Sequence, residues 1–166
     1  MSLSLDLAAA LQSLVGQTFL PAHIVTVTDT QGNSLTVDLI CVESLGVSCE
    51  ELRLLVPGLT STSVDVLKTW AQALCLRITY LLETLHPLEF DAQGNEALIR
   101  SNPPDVTAGH PKYYEVVLSA QGAGRFTLQR FEADSQSGGR VRVPLRITHE
   151  QLSKLVNDLM ATLPSP

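Results

Sequence analysis

Residues 62–85 read TSVDVLKTWAQALCLRITYLLETL. Apolar side chains recur there at steps of three and four, through Val64, Leu67, Trp70, Ala71, Leu74, Ile78, Leu81 and Leu85. That spacing puts them on one face of an α-helix. Thr62 with Asp65 three residues on has the form of a capping box, and an acidic first turn suits the helix dipole. His86 precedes Pro87, which disfavours helical geometry in the residue before it, so the helix is expected to end near Leu85. Its length would be roughly 35 Å at 1.5 Å per residue. It carries the chain's single Trp, a large apolar group expected to be buried in the main core. Leu76, Tyr80 and Leu82 widen the apolar face, which implies cover from more than one side. A competing reading breaks the helix near Leu74 and makes residues 76–82 a strand, because Ile78, Thr79 and Tyr80 favour strands.

Upstream, residues 4–15 form an amphipathic pattern with Gly16 as its stop. Residues 19–28 are rich in β-branched side chains. The cluster Asp29-Thr30-Gln31-Gly32-Asn33 then turns the chain into the alternating run Leu35, Val37, Leu39. Residues 50–56 alternate as a third strand, although Ser48 with Glu51 also fits a helix start. Downstream, residues 88–91 and 96–101 flank a second D-x-Q-G-N turn at 91–95. Residues 102–111 hold three prolines and have no periodicity. Residues 113–119 and 125–133 are strands, with a bulge expected near Gln129 because the apolar positions step from Leu128 to Phe131. Residues 140–147 alternate Val141, Val143, Leu145 and Ile147 against Arg140, Arg142 and Arg146, and Pro144 marks that strand as an edge. A last helix starts at Thr148, with Gln151 completing its capping box.

The fold class is therefore α+β: an antiparallel, hairpin-rich sheet system with three helices. The order strand, strand, strand, helix occurs at 24–85 and again at 113–163, which suggests two related units around the central helix. The organisation is residues 1–101, a Pro-rich loop at 102–112 and residues 113–166, within one compact domain.

The chain has 166 residues, 45% hydrophobic and 17% charged, a globular composition. Its net charge of -6 is uneven. Residues 1–100 hold four basic and eleven acidic side chains, and residues 101–166 hold seven basic and six acidic. An acidic chain of this kind repels nucleic acid. No apolar run approaches the ~20 residues of a membrane span, and the first residues lack the pattern of a signal peptide. Cys41, Cys49 and Cys75 match no metal-ligand spacing and read as reduced thiols of a cytoplasmic protein.

Motifs of chemistry are incomplete. Gly122-Ala123-Gly124 lacks the third glycine of a dinucleotide loop. His149-Glu150 opens like a zinc-protease helix, but Ser153 stands where the second His is needed. The two D-x-Q-G-N turns lack the acidic alternation of a calcium loop. No cofactor and no metal is expected. Two candidate sites remain. Arg125, Arg130, Arg140, Arg142 and Arg146 face only Glu132 and Asp134 between residues 125 and 146, and three of them alternate along one strand as a row suited to acidic partners. Asp105, His110 and Tyr113 form an alternative polar site for a small enzyme, and the arginine strand offers a further alternative, a binder of phosphate-bearing ligands. The order of elements, with small size and acidity, is similar to that of the chaperones that hold secretion substrates, a likeness of element order only. The reading is a non-enzymatic protein-binding, chaperone- or adaptor-like module, with a protein partner or self-association as a homodimer, and with no nucleic acid and no membrane.

Overall fold

The computed structural model describes residues 2–60, 62–102, 110–134, 136 and 138–165. Its elements run α1 (Leu3–Gln12), β1 (Thr18–Thr28), β2 (Ser34–Val42), β3 (Gly46–Val56), α2 (Val64–Arg77), β4 (Leu85–Asp91), β5 (Glu96–Ser101), β6 (Lys112–Ser119), β7 (Gly124–Ala133), β8 (Arg140–Val143), β9 (Leu145–Thr148) and α3 (His149–Thr162). The nine strands form one antiparallel sheet in the order β1-β2-β3-β7-β6-β5-β4. The three helices cover one face, and a single apolar core lies between the two layers, as an α+β fold requires.

The turns are built as their residues dictate. At the β1–β2 turn the Asp29 carboxylate accepts from the backbone N–H of Gln31 (2.8 Å) and Asn33 (2.9 Å) and from the Asn33 amide (2.9 Å). Slight burial works against ionisation, but these bonds hold the Asp29 carboxyl below its ordinary range. Gly32 supplies the positive φ of 87°. The β4–β5 turn repeats the device, with Asp91 accepting from Gln93 N–H (3.0 Å). α3 has the expected capping box: Thr148 Oγ1 accepts from Gln151 N–H, and the Gln151 side chain accepts from Thr148 N–H.

α2 is shorter than its apolar period predicts. It stops at Arg77, neither at Leu85 nor near Leu74, and residues 78–84 are neither helix nor strand. Its N-cap is Ser63, without a side-chain cap bond, so the Thr62–Asp65 box does not form. Contacts from distant parts of the chain peel the next turn away. Tyr80 Oη donates to Asp158 (2.8 Å), and the Tyr80 carbonyl accepts from Gln151 (3.0 Å). Leu81 and Glu83 are both buried on either side of Leu82, which is left 89% exposed at φ 65°, a conformation a leucine adopts only when its neighbours are fixed. Trp70 is 1% exposed, as expected. Leu76 is 81% exposed, so the wide apolar face of this segment is not covered from two sides.

α1 ends at Gln12 rather than Val15, and β4 begins at Leu85 rather than Leu88. No bulge interrupts β7 near Gln129. Its register with β6 is continuous, and Phe131 points away from the helices, opposite Tyr113. The step from Leu128 to Phe131 marks two faces of one regular strand.

The strand expected over 140–147 is not whole: it divides at Pro144 into β8 and β9, each paired on one side only, and neither lies at the outer end of the sheet. β3 and β7 pair only through Leu52–Val56 and Gly124–Leu128 and then diverge, opening a fork. β8 pairs with the far half of β7, and β9 pairs with the first half of β3. The chain enters the fork along one arm and leaves along the other, with Pro144 at the vertex. A residue that cannot donate a ladder bond is accommodated where the chain changes partner. Gly46 lies against Ile147, and a Cβ there would collide with the Ile147 carbonyl. Leu145 and Ile147 are buried in the core as expected, whereas Val141 is 62% exposed and Val143 only half-buried.

Candidate functional site

Antiparallel partners share a face, so the pairing fixes which side chains meet. On the helix-free face Tyr113, Glu115, Phe131, Arg100 and Arg140 form one cluster. Arg100 lies 4.7 Å over the Tyr113 ring and Arg140 3.8 Å over the Phe131 ring, with the two rings 5.9 Å apart. Glu115 Oε2 accepts from Arg100 (3.1 Å) and from Arg140 (2.5 Å). The bonds to Glu115 and Tyr113 raise the Arg140 pKa further. The aromatic rings are covered by guanidinium planes instead of a helix, and the arginines are committed to that task.

Two more arginines of this face are paired. Arg53 makes a two-pronged contact with Asp38 (2.9 and 3.0 Å) and reaches Glu51 (3.1 Å). Arg142 lies 3.5 Å from Glu50 and 3.7 Å from Glu51. On the opposite face Arg130 packs 4.4 Å over the Tyr114 ring and pairs with Glu83 (3.3 Å). Glu83 Oε1 accepts from Ser101 Oγ (3.0 Å), and Ser101 Oγ accepts from Tyr114 N–H (2.7 Å). Burial pushes the Glu83 carboxyl above its usual range, against the pull of Ser101 and Arg130.

The three arginines expected as one row are therefore split between two strands. Arg140 and Arg142 lie on β8, Arg146 on β9 beyond the Pro144 vertex, and Arg125 and Arg130 on opposite faces of β7. Arg125 and Arg146 have no ion pair among the described residues; the other three do. Of the alternative polar site, Asp105 lies outside the described residues. His110 is exposed, and Tyr113 is buried in the arginine cluster.

An open groove of about 550 Å³ lies where β3 meets β9. Arg146, Glu43, Cys41, Ser48, Thr148 and Gln151 are among the residues that line it. Among the described residues no three His, Cys, Asp or Glu side chains are grouped to hold a metal. Burial pushes the Cys49 thiol up to about 12 and the Cys75 thiol up to about 11, which favours the protonated thiol in both. No described helix is long and apolar enough to cross a membrane.

The remaining feature is an edge. β1 ends the sheet, and its second half, His23-Ile24-Val25-Thr26-Val27-Thr28, pairs with β2 on one side only. Its residues are exposed or half-buried, Ile24 at 61%, and β1 as a whole contains no acidic or basic residue besides His23. Hydroxyls tie it to the sheet through Thr26–Thr36 (3.0 Å) and Thr28–Ser34 (3.1 Å). The residues of this run were visible in the sequence; that it would be an edge was not.

No family model, curated protein or solved structure matches this chain.

Proposed function

We propose that the chain is a non-enzymatic protein-binding module that takes an extended segment of a partner along β1. One observation carries this reading: residues 23–28 offer an unpaired, uncharged, β-branched edge. Such an edge presents a row of free backbone donors and acceptors, and proteins ordinarily blunt it with charge, proline or a bulge. Pro21 and a register shift protect the first half of β1, but nothing of the kind interrupts the second. The inner strands of the fork are four residues each and carry Arg140, Arg142 and Arg146. Strand addition supplies affinity through main-chain bonds and selectivity through alternate side chains.

The test places a photocrosslinking amino acid at Thr26 and, as control, at Glu89 of β4, in cells expressing the full chain. Protein adducts are expected from position 26 and not from position 89. Equal yields from both positions, or none from position 26, would remove β1 as the binding edge.

A further inference from the structure

Residues 24–28 read Ile-Val-Thr-Val-Thr, nearly the same in both directions about Thr26. An antiparallel pair of identical strands about a two-fold axis places each residue opposite the one equally far from the axis. With the axis at Thr26, Val25 meets Val27 of the second copy, Ile24 meets Thr28, and Thr26 meets itself. Antiparallel pairing keeps like faces together. The half-buried Val25 and Val27, which already pack against the core, would extend it across the junction, and the threonine ladder of the outer face would continue into the mate.

Charge points the same way. Residues 1–100 carry eleven acidic against four basic side chains, so two copies repel over most of this half. An edge built for a different protein can carry charges that its partner matches. An edge that meets itself sets like against like near the axis, and a charge there is unfavourable. The stretch 24–28 has none.

We infer that the strand accepted by β1 is β1 of a second copy, giving a two-fold dimer with one sheet continuous through both chains. This rests on the strand-addition reading and names its partner.

The experiment uses the full chain. Wild-type protein at high micromolar concentration is expected to sediment at twice the 18.0 kDa chain mass. Thr26→Lys, which puts two like charges on the axis, is expected to sediment as a single chain with an unchanged circular dichroism spectrum, while Glu89→Lys stays dimeric. As a second measurement, Thr26→Cys should form an intermolecular disulfide on oxidation with copper phenanthroline, because directly opposed Cα atoms lie about 4.5–5.5 Å apart, within disulfide reach. A wild-type single chain at high concentration overturns the dimer, as does a dimer that Thr26→Lys leaves intact. Adducts of a different protein from the position 26 crosslinker would then preserve strand addition while rejecting self-pairing. An absence of adducts would reject both.

Discussion

The sheet ends in two unlike edges. β4 is interrupted by Pro87, shifts register between Pro87 and Glu89, and carries Glu89 and Asp91. Even its exposed Phe90 has Lys68 5.4 Å from its ring. These are standard means of stopping one sheet from adding to another. β1 uses a proline and a register shift only at its start and then runs six residues with neither. One fold thus contains a closed edge and an open one, so the open edge is not a general property of how this chain builds its sheet. The two are also backed differently, β4 by α2 and β1 by α1.

That difference in backing gives the largest expected effects. Trp70→Ala should cost about 3–5 kcal/mol and Leu7→Ala about 2–5 kcal/mol, as large-to-small changes in a packed core do. Both are read by chemical denaturation. Hydrogen exchange should separate them: Trp70→Ala releases the amides of β4 and β5 first, and Leu7→Ala those of β1. Identical exchange patterns would mean that the edges are not held independently.

A smaller effect concerns pH. Glu83 stands just before β4, and burial raises its pKa above the ordinary carboxyl value. The unfolded chain then loses this proton first as pH rises, so stability should fall from about the unfolded pKa up through the folded one and level off above it. Glu83→Gln should flatten that part of the stability curve. The exchange of β4 should follow the same slope, and that of β1 should not. A pH slope unchanged by Glu83→Gln would discard the assignment.

The smallest effect on folding comes from removing the protection of β4. Glu89→Thr should change stability by no more than about 0.5 kcal/mol, as exposed substitutions usually do. Light scattering should nonetheless rise with concentration. An unchanged scattering curve would show that the Glu89 charge is not what keeps this edge closed.

Much of this architecture is local and was readable. The two D-x-Q-G-N turns, the alternating strands and the Thr148–Gln151 cap are set by neighbours a few residues apart, and the structure has them. What failed is non-local. The period of α2 continues through Leu81 and Leu85, yet the turn after Arg77 is pulled off by Asp158 and Gln151 of α3. Pro144 announced an interruption, but edge and vertex look alike until β3 and β7 are known to diverge. The outward arginines were visible, while their carboxylates come from other strands, Glu50 and Glu51 on β3 and Glu115 on β6. The uncharged run of β1 was likewise plain to read. Its place at the end of the sheet depends on β3 choosing β7 as its other neighbour.

The fork also sets a timetable. The first half of β3 waits for β9, about a hundred residues later in the chain, and the far half of β7 waits for β8. A chain emerging from the ribosome therefore carries two unfinished strand margins until residues 140–148 appear. That segment leads into α3, which packs on α1, α2 and β3. The late closure of such distant contacts makes for slow assembly. A chain cut before Arg140 would hold most of its strands and still lack the wedge that joins the arms of its sheet.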